Sequence, residues 1–141
     1  MVTKKSTSPQ IVNPYAPLEQ LSMRALKRYG EMAVSTVEGE TLIMFLDYAN
    51  SILDDVMSHP YWVKGSEIPY YTHHTDARPV PDSMMVAGLL AKFSVDQDSK
   101  KAPQYLGEYY LRLNQILARW KFGISPDFAL QTVDYAGGGA T

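Results

Sequence analysis

The sequence contains no cysteine and no long apolar run, and these two absences exclude several classes of protein. Without cysteine, the 141-residue chain has no disulfide, thiolate metal ligand or cysteine nucleophile. No apolar stretch is long enough for a membrane-spanning helix, and no apolar core follows the basic start, as a signal peptide requires. The formal net charge of −2 gives no general case for nucleic-acid binding.

The residues that are present predict one mainly α domain. Hydrophobic residues make up 45% of the chain, and its length suits a single domain. Apolar residues recur at helical spacing in four segments, which predicts a four-helix bundle over residues 18–123. The predicted core residues face one side of their helices: Leu42, Phe45, Leu46, Ile52, Leu53, Leu89, Phe93, Tyr109, Leu113, Ile116, Leu117 and Trp120.

Proline and glycine set the predicted ends of the first two helices. Pro17 suits the first position of a helix, because its missing N–H would be unpaired there anyway. We expect this helix to continue through Gly30 and to end or break at Gly39. The second helix is predicted over residues 40–58, and Pro60 stops it.

The third helix is predicted to follow Asp82 and Ser83, either of which can cap it. It is apolar on nearly every side, so it is central in the bundle or is covered by a partner. A fourth helix is predicted from Pro103, with Gly123 as its C-terminal cap.

Three segments lie outside the predicted helices. Residues 1–17 are predicted to form an extended N-terminal arm and residues 124–141 an extended C-terminal arm, each ordered only by a partner. Residues 60–82 predict a long aromatic loop or a small hairpin. Aromatic residues are enriched in interface cores, so four side chains are predicted at a subunit or tail interface, although the loop could instead fold over its own core: Tyr61, Trp62, Tyr70 and Tyr71.

The polar residues predict no catalytic site, metal site or cofactor. Adjacent His73 and His74 would point different ways in an extended chain, so they would not share one ion. The acidic pairs at 54–55 and 96–98 lack the burial or close like charge that general acid/base chemistry requires. Arg112, Arg119 and Lys121 come nearest to a nucleic-acid contact, but a solvated helix face explains them more simply.

Short motifs run from about Leu42 to Gly123. They are Phe-Leu-Asp-Tyr-Ala-Asn at 45–50, Asp-Asp at 54–55, His-Pro-Tyr-Trp at 59–62, Ile-Pro at 68–69, Pro-Asp at 81–82, and the helix over 105–120 that ends in Lys-Phe-Gly at 121–123. In these motifs and in its four helices the chain resembles the head-to-tail adaptor proteins (connector or head completion proteins) of tailed bacteriophages.

The resemblance implies a structural role without catalysis. Such adaptors form dodecameric rings that dock on the portal protein, connect it to a tail or nozzle protein and close the filled head. DNA passes through the ring without sequence-specific contact. The resemblance therefore implies a protein made in the host cytoplasm and located at the head-tail junction of the virion, with no membrane anchor. It assigns portal docking to the C-terminal arm, through Phe128, Leu130, Val133, Asp134 and Tyr135.

Two other functions remain open on the sequence. The first is a small helical assembly or regulatory module that binds one partner protein through its aromatic loop. The second is a small DNA-binding helical protein, which the net negative charge disfavours because phosphate contacts require clustered cations.

Overall fold

A computed structural model describes residues 15–30, 39–63 and 67–123 and confirms the mainly α class. The residues in these ranges form four helices: α1 (Leu18–Tyr29), α2 (Gly39–Met57), α3 (Asp82–Asp96) and α4 (Ala102–Phe122). The described residues contain no strand, so the segment between α2 and α3 is a loop there and not a hairpin. None of the described helices is long and apolar enough to cross a membrane.

The third helix lies at the centre of the bundle. It packs against each of the other three helices, and every residue from Met84 to Ala91 is buried. Its uniformly apolar sequence is therefore explained by burial within the chain. The apolarity of α3 gives no separate argument for a covering partner.

The first helix ends earlier than predicted. Gly30 adopts a φ of 127°, which side-chain-bearing residues rarely adopt, and its N–H donates to the carbonyl groups of Leu26 and Lys27. The expectation that Gly30 lies inside the helix is therefore wrong, and Gly39 begins α2 instead. At the other end of the domain Gly123 caps α4 in the left-handed conformation, as predicted.

Most of the predicted core is buried, with one clear exception. Leu42, Leu46 and Phe93 are half-buried, whereas Trp120 is 39% exposed. The prediction that Trp120 belongs to the core is wrong, because its ring lies against Trp62 of the loop. Eight predicted residues are buried: Phe45, Ile52, Leu53, Leu89, Tyr109, Leu113, Ile116 and Leu117.

The loop between α2 and α3 is fixed to the helices by polar contacts. The side-chain amide of Asn50 in α2 accepts from the backbone N–H of Tyr71 at 2.7 Å and donates to its carbonyl at 3.0 Å. The carbonyl groups of His74 and Asp76 accept from the first two N–H groups of α1. These bonds replace the side-chain cap that Pro17 lacks, so the loop and α1 position each other.

Candidate interaction surface

Four aromatic rings meet where the loop after α2 passes the end of α4. Tyr61 contacts Phe122 edge to face, with ring centroids 5.2 Å apart, and Trp62 contacts Trp120 at 6.2 Å. Tyr61 is 38% exposed and Phe122 is 56% exposed. We call these four residues the aromatic surface. Aromatic side chains are enriched in the cores of protein interfaces, so this cluster is a candidate interaction surface.

His59 holds the loop in position at this surface. Its Nδ1 accepts from the backbone N–H of Tyr61 at 3.1 Å, and its Nε2 lies 2.9 Å from Oδ1 of Asn114 in α4. Since Nδ1 accepts, Nε2 must carry the proton and donate to Asn114. One imidazole therefore ties the loop that carries Tyr61 to α4.

A groove of roughly 710 Å³ opens beside the aromatic surface. It runs between the end of α2 and the middle of α4, and Tyr61 and the exposed Tyr110 lie on its walls. Asp55, which also lines the groove, accepts from the hydroxyl of the buried Tyr109 at 2.7 Å. Burial is the main reason that the pKa of Tyr109 is raised, and the Asp55 carboxylate adds to it.

The other two predicted loop aromatics lie in different environments. Tyr70 is exposed, and its hydroxyl donates to Asp54. Tyr71 is only 2% exposed and lies in the core of the chain, where burial raises its pKa to about 12. The exposed or half-exposed members of the predicted interface set are therefore Tyr61, Trp62 and Tyr70.

The side chains of the two loop histidines do not point different ways, as an extended chain would require. The rings of His73 and His74 lie close together, with centroids 4.1 Å apart and planes inclined by 31°, because the chain turns there. His74 Nδ1 lies 2.8 Å from Oε1 of Glu19 in α1. Within the described ranges, no group of three or more acidic or histidine side chains could hold a metal ion.

A second candidate surface is polar, and the sequence pattern does not predict it. Cations of α1 and α4, far apart along the chain, line one groove of roughly 550 Å³ at the start of α3. A helical wheel places each cation on a solvated face, and only the packing of α1 and of α4 against α3 brings them together. We call this the basic groove; it is lined by Arg24, Lys27, Arg28, Asp82, Ser83, Val86 and Arg112.

Comparison with protein-family models, with curated proteins and with solved structures finds no significant match. The predicted portal-docking residues Phe128, Leu130, Val133, Asp134 and Tyr135 lie outside the described residues. The last described residues before them are Phe122 and Gly123. Phe122 belongs to the aromatic surface, so the described part of the chain ends one residue after a member of that surface.

Proposed function

We propose that this protein is a structural adaptor of a tailed-phage virion, a ring subunit that docks on the portal and connects it to the tail. Its work is binding between proteins. In this proposal the ring closes the DNA-filled head and later lets DNA pass through its lumen without reading its sequence. The partners are further copies of the chain, the portal protein and a tail or nozzle protein.

The aromatic surface is the observation that carries the proposal. Tyr61 and Phe122 expose large rings that the bundle does not require for its own core, since α3 is already covered by the other helices. An adaptor must hold different partners at different places. The exposed Ile43 near the start of α2 supplies a second apolar site, about 21 Å along the helix axis from Met57 at its end.

The place at which α4 ends agrees with a docking arm after it. The helix ends at Phe122, a member of the aromatic surface, and Gly123 caps it directly before residue 124. Fixing an extended segment costs about 1–2 kcal/mol per residue, which a partner groove can offset through a few anchored side chains. Phe128, Leu130, Val133 and Tyr135 are proposed as those anchors, with Asp134 among them, and the portal as the partner.

The groove beside Tyr61 and Tyr110 favours a second candidate function. At roughly 710 Å³ it is large enough for a short peptide. A small assembly or regulatory module would bind one partner protein there and would form no ring.

Native mass spectrometry of the full chain, alone and mixed with portal-bearing heads, tests the proposal. We expect a ring of one stoichiometry, in solution or on the heads, and no head binding after deletion of residues 127–141. The matched control is Lys100→Glu, an exposed change in the turn between α3 and α4, which should leave head binding unchanged. A chain that stays monomeric and binds no heads contradicts the proposal, and a complex with a single partner protein supports the second candidate.

A further inference from the structure

The first half of α2 presents an acidic face with one apolar side chain in it. Glu40 and Asp47 are exposed, and Ile43 between them is 64% exposed. Offsets of three and four residues place the three side chains on one side of the helix, and we call them the acidic face. Residues 39–57 contain no lysine or arginine. No ion pair joins Glu40 or Asp47 to another described residue.

The basic groove has the opposite composition. Arg28 and Arg112 share Glu108 at 3.0 and 3.3 Å, and Arg24 pairs with Asp82 at 3.4 Å. Partial burial works to raise the pKa of Glu108, but the two guanidinium groups outweigh it and hold that pKa below its usual value.

The groove keeps positive charge after these pairs are formed. Four cations against two carboxylates leave a net charge of +2, and Lys27 forms no ion pair with the described residues. Val86, which is buried, supplies an apolar part of the lining. The groove therefore combines an apolar contact with a cationic rim.

We propose that the acidic face of one copy docks in the basic groove of a second copy. Ile43 would lie against Val86, with Glu40 and Asp47 near the cations of the rim. The inference rests on the proposed self-assembly and names its contact. Because the two surfaces are unlike, the contact is heterologous, and repetition of it closes a ring when the rotation between copies permits.

A second copy suits the groove better than a nucleic acid does. Asp82 and Glu108 place two carboxylates among the cations and leave a net charge of only +2. This is little for the continuous row of charges on a phosphate backbone, but it matches the two carboxylates of the acidic face. The apolar contact at Val86 calls for an apolar side chain flanked by negative charge. The acidic face of the same chain supplies this combination, and charge complementarity then sets orientation and association rate.

Cross-linking tests the contact directly, because the chain contains no cysteine. A full-length Ile43→Cys chain is mixed with a full-length Ser83→Cys chain and treated with a short bismaleimide in 50 mM NaCl. We expect cross-linked dimers that join the two variants, at least about tenfold more than when Lys100→Cys replaces Ser83→Cys. Each variant alone should give few dimers, since a heterologous contact keeps like surfaces apart.

Charge reversal gives an independent readout by sedimentation velocity. Arg24→Glu with Lys27→Glu, and Glu40→Lys with Asp47→Lys, should each weaken self-association about tenfold or more. The chain with all four changes should regain it. Lys100→Glu with Lys101→Glu changes the charge equally on another surface and should have little effect. Circular dichroism establishes that each variant is folded.

Three results would overturn the inference. The first is equal cross-linking of Ile43→Cys to Ser83→Cys and to Lys100→Cys. The second is self-association that neither charge reversal changes. The third is binding of a duplex DNA probe in the basic groove by a chain that forms no dimers. If native mass spectrometry still shows rings, or rings form on portal-bearing heads, then the proposed function stands and only this contact is wrong.

Discussion

Gly88 is the most closely packed of the described glycines, and the Gly88→Ala variant is expected to be less stable than the matched Gly107→Ala variant. A Cβ at this position would lie 2.6 Å from Cδ1 of Ile52 in α2 and 2.9 Å from Cε1 of Tyr109 in α4. Ile52 and Tyr109 are fully buried, and the hydroxyl of Tyr109 is held by Asp55. The two neighbours therefore have little room to move.

The magnitude follows from two opposing effects. Alanine in place of glycine inside a helix gains about 1 kcal/mol, whereas overpacking a filled core costs about 1–3 kcal/mol. Gly107 in α4 is exposed and has nothing within 4 Å of its Cβ position, so Gly107→Ala receives the gain without the cost. The difference in unfolding free energy between the two variants should therefore be about 1–3 kcal/mol.

Urea denaturation at one protein concentration measures this difference as a shift of the midpoint at constant slope. Ile52→Val removes the Cδ1 atom that lies closest to the new methyl group, so it should offset part of the Gly88→Ala cost in the double variant. If Gly88→Ala and Gly107→Ala differ by less than about 0.5 kcal/mol, the helices are not packed against Gly88 as closely as the distances state.

Three further changes test other parts of the molecule. Tyr109→Phe should cost about 1–2 kcal/mol in urea unfolding, because Asp55 loses the hydroxyl donor of Tyr109 and keeps only Lys92 at 3.4 Å. Tyr71→Phe should be neutral or stabilising, since that buried hydroxyl has no partner among the described residues. Equal costs would show that the Tyr109–Asp55 bond does not stabilise the fold. The hydrogen bond from the backbone N–H of Thr72 is the main cause that holds the pKa of Asp76 below its usual value. The unfolded state therefore binds more protons there, and stability should fall as the pH drops below about 4. Asp76→Asn should lose less stability over this range than the unchanged chain, whereas Glu67→Gln should show the full loss. Trp62→Ala should weaken assembly while the helical circular dichroism stays nearly intact; loss of folding would show that Trp62 serves the core.

The helices could be predicted because their signals are local. The spacing of Phe45, Ile52 and Leu53 defines the buried side of α2 without knowledge of its neighbours, and Gly123 marks the end of α4. The prediction for Gly30 is wrong because a glycine is compatible with a helix interior and with a helix end. Its φ of 127° decides between the two, and no sequence spacing reports that angle.

The loop could not be predicted in the same way, because it has no period. Tyr70 and Tyr71 look equivalent in the sequence, yet the Asn50 amide fixes the backbone at Tyr71 and its ring enters the core. The basic groove is a similar case, since Arg28 and Arg112 meet through long-range packing. The role of the aromatic surface in binding a partner stays a prediction.

The contacts that fix the loop have a consequence for how the sequence can vary. Its path is held by bonds to backbone atoms, from Asn50 to Tyr71 and from the Arg78 guanidinium to the carbonyl groups of Pro69 and Tyr70. A bond to a backbone group does not depend on the side chain of the residue that carries it. The exposed side chains of the loop can therefore be substituted while its backbone conformation is retained. Substitutions there can adapt the surface to a different partner without a change of fold.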